Sequence, residues 1–305
     1  MSYISRLNAL CSEIECECRT DVSLAEYTTF KVGGLCRAMV SVTSSDSLIK
    51  LLHFMKGESI PYYVLGKGSN IIASDKGYDG VIILMGPDLS GIRLIDDDMI
   101  YCEAGTSIAD LCSFALKNEL TGLEFAYGIP GTAGGALYMN AGAYGGEMND
   151  VIVSAHYIDE NLSLKSIDRK DMKLTYRSSI FSENPDYIIT DMIIGLKKGE
   201  SGKIRSRMHE LLGKRKEKQP LNFPSAGSTF KRPEGSYASL LIEQCGLKGV
   251  SVGGAEVSTK HSGFIINKGG ATSRDILELA GKVKCHVEKE TGYVLELEPE
   301  ILGEI

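Results

Sequence analysis

The sequence predicts an α+β protein, and three observations carry that reading. Strands and helices mix along the chain without the regular alternation that builds a parallel sheet. Two glycine clusters, at 65–70 and 128–146, each lie beside a predicted strand. With 305 residues, 43% of them hydrophobic, the chain holds enough apolar material for more than one core.

The elements follow in order. "SSDSLIKLLHFMKGE" (44–58) opens on capping residues and sets Leu48, Leu51, Leu52 and Met55 on one face, which predicts a helix. "PYYVLGKGSNIIAS" reads as strand, glycine turn, strand, and "GVIILM" (80–85) as a short buried strand. In "TSIADLCSFALKNELTG", Ser107 and Asp110 read as a capping box, Ile108, Leu111, Cys112 and Ala115 as the buried stripe, and Gly122 as the stop. "VIVSAHYID" and "DYIITDMIIGL" read as strands around the polar "RKDMKLTYRSS". The basic "KKGESGKIRSRMHELLGKRKEKQP" predicts a helix stopped by Pro220 and marks a domain junction. Beyond it, "SYASLLIEQCG" and "TSRDILELAGKVKCHVEKETG" predict helices. The second has Ile276, Ala280, Val283 and Val287 in register and Gly292 at its end. "SGFIIN" and "YVLELEPEI" read as strands.

Charge and composition exclude some functions. A net charge of −7 disfavours general nucleic-acid binding, which needs a basic face, yet leaves room for a local basic pocket. No run approaches the roughly 20 apolar residues of a membrane helix. The segment "MSYISRLNALCSEIECECR" carries acids and lacks the apolar run of a signal peptide, so a cytoplasmic protein with no membrane segment is expected. Eight cysteines without regular spacing read as free thiols in a reducing compartment. Cys11, Cys16 and Cys18 cluster, but no fourth ligand lies near and the spacing is not that of a zinc finger, so no metal is expected.

The glycine clusters are "LGKGSN" (65–70) and "GIPGTAGGALYMNAGAYGGE" (128–147). Backbone N–H groups cleared of side chains can form a nest for phosphate oxygens. Neither cluster is a P-loop or a GxGxxG fingerprint. Tight turns at sheet corners are the plain alternative for either one alone. The pair together, with Ser69, Asn70, Asn140 and Tyr144 as polar groups, favours a dinucleotide cofactor held by loops rather than by a Rossmann helix.

Six motifs in fixed order make the sequence similar to a known family. They are "TTFKVGG" (28–34), "LGKGSN", "GIPGTAGGALYMNAGAYGGE", "TYRSSIF" (175–181), "QPLNFPSAGSTFKRP" (219–233) and "LEPEI" (297–301). Together they resemble the UDP-N-acetylenolpyruvoylglucosamine reductases, the flavin enzymes of peptidoglycan precursor synthesis often called MurB. The resemblance covers the chain from about residue 20 onward. It implies a two-subdomain FAD-binding fold, similar to that of the vanillyl-alcohol oxidases, plus a C-terminal α+β substrate-binding domain. The regions expected are 1–78, 79–198 and 199–305, with the C-terminal strand returning to the flavin. Only 51 positions separate Arg177 from Ser228, which resembles the shorter branch of the family; no residue is carried over for the tyrosine that the longer branch's insert supplies.

The resemblance implies non-covalent FAD, NADPH as co-substrate and UDP-N-acetylglucosamine enolpyruvate as substrate, reduced to UDP-N-acetylmuramate by a monomer. It places the cofactor against Gly66, Lys67, Gly68, Ser69, Asn70, Gly128, Ile129, Pro130, Gly131, Gly134, Asn140, Gly142, Ala143 and Tyr144. Hydride addition to the enol ether leaves an enolate that needs charge stabilisation and a proton. Arg177 matches the family's arginine, whose planar fork suits a carboxylate gaining charge. Ser228 matches the proton donor, able to act if held against a strongly basic carbon. Glu300 matches the C-terminal glutamate; the short run to Gly303 departs from the family pattern and keeps Glu298 as runner-up. Arg215 and Lys218 match substrate-diphosphate positions, and Arg232, with Lys231, is a further candidate by its closeness to Ser228 in sequence; a solvated helix face is the plain alternative for Lys214 and Lys216. Two other readings stand beside this one. An FAD oxidase would often tether its flavin through His or Cys, and neither cluster contains one. A non-catalytic nucleotide-sugar binder would have no use for a proton donor.

Overall fold

The structure, a computed structural model, describes residues 2–305. The chain divides into two compact units. The first takes Met1–Arg19, Ala38–Lys67 and Gly80–Arg215; the second takes Thr20–Arg37, Gly68–Asp79 and Lys216–Ile305. Each has its own buried apolar cluster. One change of unit, at Arg215 and Lys216, falls inside the basic helix. The changes within the first 80 residues leave no composition shift to read.

The first unit contains the five-stranded antiparallel sheet, in the order Leu164–Asp168, Ile152–Ile158, Ile188–Gly195, Met99–Glu103, Ile92–Asp96. The helix Ala133–Tyr138 packs on two of its strands. The approach is close because a Cβ on Gly134 would come 2.8 Å from that of Ala104. A four-stranded sheet, three of whose strands run along the chain from one unit's residue range into the other's, has the order Glu17–Ser23, Leu35–Ser41, Tyr78–Leu84, Tyr62–Leu65, its last two strands parallel. The helix Ser45–Gly57 buries Leu48, Leu51, Leu52 and Met55, as its spacing requires, and Ser44 and Ser47 form its capping box. Ser107 caps the helix Ile108–Lys117 through the Asp110 N–H. That helix stops at Asn118, before Gly122, because the strand Leu120–Thr121 pairs with Lys197–Lys198.

In the second unit, the helices Ala238–Gln244 and Ser273–Thr291 share a core with the three-stranded sheet Ser251–Val252, Ala255–Val257, Ile265–Asn267. Thr272 and Asp275 form the longer helix's N-terminal capping box, and Gly292 ends it in the left-handed conformation. The strand expected over 293–301 is broken. Leu297 makes an isolated bridge to Phe230, Pro299 supplies no N–H, and only Glu300–Leu302 pairs, in parallel, with Ile71–Ala73. Among the described residues no helix is long and apolar enough to cross a membrane.

Candidate active site

The glycine loop 66–70 is shared between the units' residue ranges. Gly66, in the first, stands against the other glycine cluster: a methyl there would come 2.5 Å from Thr132 Oγ1. Lys67 is exposed. Gly68, in the second unit, has φ +59, and a Cβ would sit 2.1 Å from the Tyr27 carbonyl oxygen. Ser69 and Asn70 are half-buried.

The longer cluster fills a turn, the helix Ala133–Tyr138 and a hairpin of Gly142–Ala143 with Gly146–Glu147. Gly128, Ile129 and Gly131 are half-buried and Pro130 is exposed, before the helix. Gly142 and Ala143 are half-buried, whereas Tyr144 is exposed at φ +54. Several glycines are cleared for protein neighbours: Gly134 for Ala104 and Gly146 for Phe125. Asn140 is 1% exposed. Its Nδ2 donates to the Thr175 carbonyl at 3.0 Å, and its Oδ1 accepts from the Asn149 N–H at 2.9 Å.

Arg177 occupies a two-residue turn closed by reciprocal backbone bonds between Thr175 and Ser178, at 3.1 and 3.2 Å. Its φ is +56, a conformation bulky L-residues seldom adopt and one that concentrates at functional sites. Its guanidinium lies 5.1 Å from the centroid of the exposed Tyr176 ring.

Arg215 is the unusual cation of the helix Ser201–Lys218. A Cβ on Gly128 would lie 3.6 Å from its Cδ, and its buried Nε has no hydrogen-bond partner. Burial pushes its pKa down, a push that Tyr144 opposes. A buried donor without a partner beside a glycine-rich loop fits an anionic group, such as a phosphate of a dinucleotide or sugar nucleotide. By contrast, Lys214 is paired with Glu210 at 2.6 Å. Lys218 is exposed.

The second unit brings Ser228 and the two glutamates onto adjoining backbone. The Glu298 N–H donates to the Thr229 carbonyl at 3.0 Å. Asn70 continues the chain of contacts: its Nδ2 donates to the Glu298 carbonyl at 3.2 Å, and its own carbonyl accepts from the Glu300 N–H at 2.9 Å. Glu298 and Glu300 are both half-buried and flank buried Pro299. Ser228 is half-buried, and among the described residues its hydroxyl has no hydrogen-bond partner. Thr229 is locked from both sides, its N–H on the Gly263 carbonyl at 2.8 Å and its hydroxyl accepting from the Ile265 N–H at 2.8 Å. Arg232 lies 4.0 Å from the Tyr237 ring centroid, and Lys231 pairs with Glu296 at 3.6 Å.

Sequence reasoning did not assign a role to Thr29. Its N–H donates to the Gly68 carbonyl, its carbonyl accepts from the Ser225 N–H, and its hydroxyl donates to the Ser225 carbonyl at 2.7 Å. It ties the glycine loop to the segment that leads to Ser228. Its place in "TTFKVGG" was the available signal.

This architecture, with its glycine-rich loops, defines an FAD-binding protein: residues 36–165 match the family model described as FAD binding domain. Residues 219–302 match the C-terminal domain of UDP-N-acetylenolpyruvoylglucosamine reductase. The chain belongs to the UDP-N-acetylenolpyruvoylglucosamine reductase family. It is 46% identical over 283 residues to the reductase of that name from Caldanaerobacter subterraneus subsp. tengcongensis, covering 92% of each chain. It is 44% identical over 288 residues to that of Clostridium novyi, covering 94% of this chain and 93% of that one. The crystal structure of the reductase (MurB) from Thermus caldophilus superposes with a TM-score of 0.77 at 34% identity, covering 94% of this chain and 98% of that one. A 4-ethylphenol oxidase from Gulosibacter chungangensis shares the fold alone, with a TM-score of 0.52 at 14% identity over 64% of this chain and 42% of its own. The expected α+β architecture, an FAD-binding domain followed by a C-terminal domain, is thereby borne out.

Proposed function

We propose that the protein reduces UDP-N-acetylglucosamine enolpyruvate to UDP-N-acetylmuramate with NADPH, as a cytoplasmic monomer in peptidoglycan precursor synthesis. Family membership supports the reaction class. The observation that carries the chemistry is the uncommitted Ser228 hydroxyl on backbone adjoining Glu298 and Glu300. When bound, FAD supplies the hydride chemistry, accepting hydride from NADPH and delivering it to the enol ether. The two glycine loops would hold it non-covalently, through Gly66–Asn70, Gly128–Gly134 and Gly142–Tyr144. In functional terms the chain would have three regions, 1–78, 79–198 and 199–305.

The protein's own groups then act on charge and protons. Arg177 would take the enolpyruvyl carboxylate, where a fork of donors stabilises the charge that grows as hydride arrives. Ser228 would deliver the proton to the carbon that carries the enolate. Glu300, or Glu298 from the other side of Pro299, would assist that transfer. Arg215, Lys218 and Arg232 would hold the diphosphate.

The test follows the two half-reactions separately by anaerobic stopped-flow absorbance of the flavin. In Ser228→Ala, reduction by NADPH should stay within several-fold of wild type. Reoxidation by the enolpyruvyl substrate should slow by about 10²–10⁴-fold, the usual contribution of general acid catalysis. Arg177→Ala should share the second defect. A Ser228→Ala enzyme slow in NADPH oxidation but fast in substrate reduction refutes the assignment.

A further inference from the structure

The turn that carries Arg177 is fastened at both ends to one place. Asn140 follows the helix Ala133–Tyr138 and donates from Nδ2 to the Thr175 carbonyl, just before the turn. Ser179, just after it and 0% exposed, donates from its hydroxyl to the Tyr138 carbonyl at 2.7 Å. Arg177 lies between these two straps. Within the turn the reciprocal Thr175–Ser178 backbone bonds oppose the unfavourable φ of +56. The helix Ala133–Tyr138, at whose end the straps are anchored, packs on the five-stranded sheet.

Asn140 suits this task in each of its features. The partners decide its amide orientation: a carbonyl can only accept, so Nδ2 faces Thr175, and an N–H can only donate, so Oδ1 faces Asn149. The position therefore needs a donor and an acceptor on one short planar group. Its φ of +40 lies in the left-handed region that Asn tolerates better than most residues. At 1% exposure, with both ends of the amide engaged inside the protein, the side chain offers almost no surface to a bound molecule. This points away from the cofactor contact that its place in the glycine-rich motif implied.

We propose that Asn140 is a positioning residue for Arg177: it sets where the guanidinium stands by holding the Thr175 carbonyl. The inference rests on the role of Arg177 given above and adds a residue through which that role depends on the helix Ala133–Tyr138. Displacing a group by about 1 Å from its productive place can cost a factor of order 10² in rate.

The test uses Asn140→Asp in the full-length holoenzyme, alone and combined with Arg177→Ala. Aspartate keeps the shape and the acceptor for Asn149 but sets an oxygen against the Thr175 carbonyl. Hydrogen–deuterium exchange at the Thr175 and Ser178 amides should speed up by roughly tenfold or more as the turn loosens. Flavin reoxidation by the enolpyruvyl substrate should slow by about 10–100-fold. NADPH-driven flavin reduction and FAD affinity should stay within about threefold, because neither involves Arg177. In the Arg177→Ala background the Asp substitution should add almost nothing, since the group it positions is gone.

Additive losses in the double variant overturn the proposal, as does weakened FAD binding with both half-reactions slowed. If Arg177→Ala alone leaves reoxidation fast, the role of the arginine fails and the positioning inference falls with it. If Arg177→Ala abolishes reoxidation while Asn140→Asp does not impair it, only the inference about Asn140 fails. Should Asn140→Asp not fold, Ser179→Ala cuts the other strap of the same turn and runs the same cycle. Additivity there overturns the proposal equally.

Discussion

Burial sets Arg215 apart from the other cations of its helix. Lys214 answers Glu210, and Lys218 extends from an exposed position near the C-terminus. Among the described residues the buried Nε of Arg215 has no hydrogen-bond partner. Replacing a guanidinium whose buried Nε lacks a partner with an apolar side chain of similar length relieves the desolvation of that group. Arg215→Met should therefore leave the thermal midpoint of ligand-free protein unchanged or raised, while weakening affinity for the anionic ligand it serves. A midpoint lowered by several degrees would mean that the guanidinium stabilises the fold instead. Lys218→Ala should leave the midpoint alone and raise the Michaelis constant for the sugar nucleotide more than it lowers turnover. A diphosphate contact remote from the reacting carbon contributes mostly uniform binding. A hydrogen bond to a charged group is worth about 1.5–3 kcal/mol, so a rise of roughly tenfold or more is expected. An unchanged Michaelis constant places Lys218 on the solvated face.

Among elements, two glycines at positive φ differ in what surrounds them, and the difference is testable. Gly292 ends the helix Ser273–Thr291 at φ +75 with open space around it. Alanine there meets only the backbone penalty of the left-handed region, about 1–2 kcal/mol. Chemical denaturation should show that loss with flavin content unchanged. Gly68 has the same penalty and also a backbone carbonyl 2.1 Å from where Cβ would go. A carbonyl of the main chain cannot swing aside as a side chain can, so Gly68→Ala must displace the loop. That variant should purify with a reduced flavin-to-protein absorbance ratio, beyond any loss of stability. Full flavin content in Gly68→Ala would remove this loop from the cofactor site. Asp75 shows another fastening at this scale: its carboxylate accepts from the Ser273 and Arg274 N–H groups at 3.0 and 3.3 Å, capping the long helix from a distant part of the chain.

At the scale of the whole molecule, stability should fall on the acid side for a reason that lies in the second unit. His261 is half-buried, and burial pushes its pKa below the usual value. Lys248 pushes in the same direction and Glu243 opposes it. The unfolded chain then binds the proton more readily than the folded one. Stability is complete above the ordinary histidine value of about 6.5 and declines as pH drops from there toward the folded-state value. His261→Gln should flatten the decline between neutral pH and the onset of carboxylate protonation, read from denaturant midpoints across pH. A decline of unchanged slope would exclude His261 as its source. The Asp275 carboxylate, held below its usual range mainly by the Thr272 backbone N–H, adds to the loss only at lower pH, as its cap is protonated.

What the sequence alone determined is what short-range interactions control. The helices Ser45–Gly57 and Ser273–Thr291 were legible because caps and stripes act within a few residues of each other. The glycine loops were legible because close backbone approach and positive φ tolerate little else. The ordered motifs, read as a family resemblance, pointed to the FAD-binding domain. Tertiary structure decided the rest. The strands Glu17–Ser23 and Leu35–Ser41 went unread, because a strand's alternation carries little signal until its neighbours fix which side is buried. The strand expected over 293–301 shrank to Glu300–Leu302 because pairing partners, not local propensity, decide where a ladder forms. Only the folded chain shows that Gly134 is cleared for Ala104, or that the amide of Asn140 is committed to Thr175 and Asn149. The physical reason is common to all of these. A residue's own chemistry sets which bonds it can make, but the partner that satisfies it stands dozens of positions away, and folding alone brings the two together.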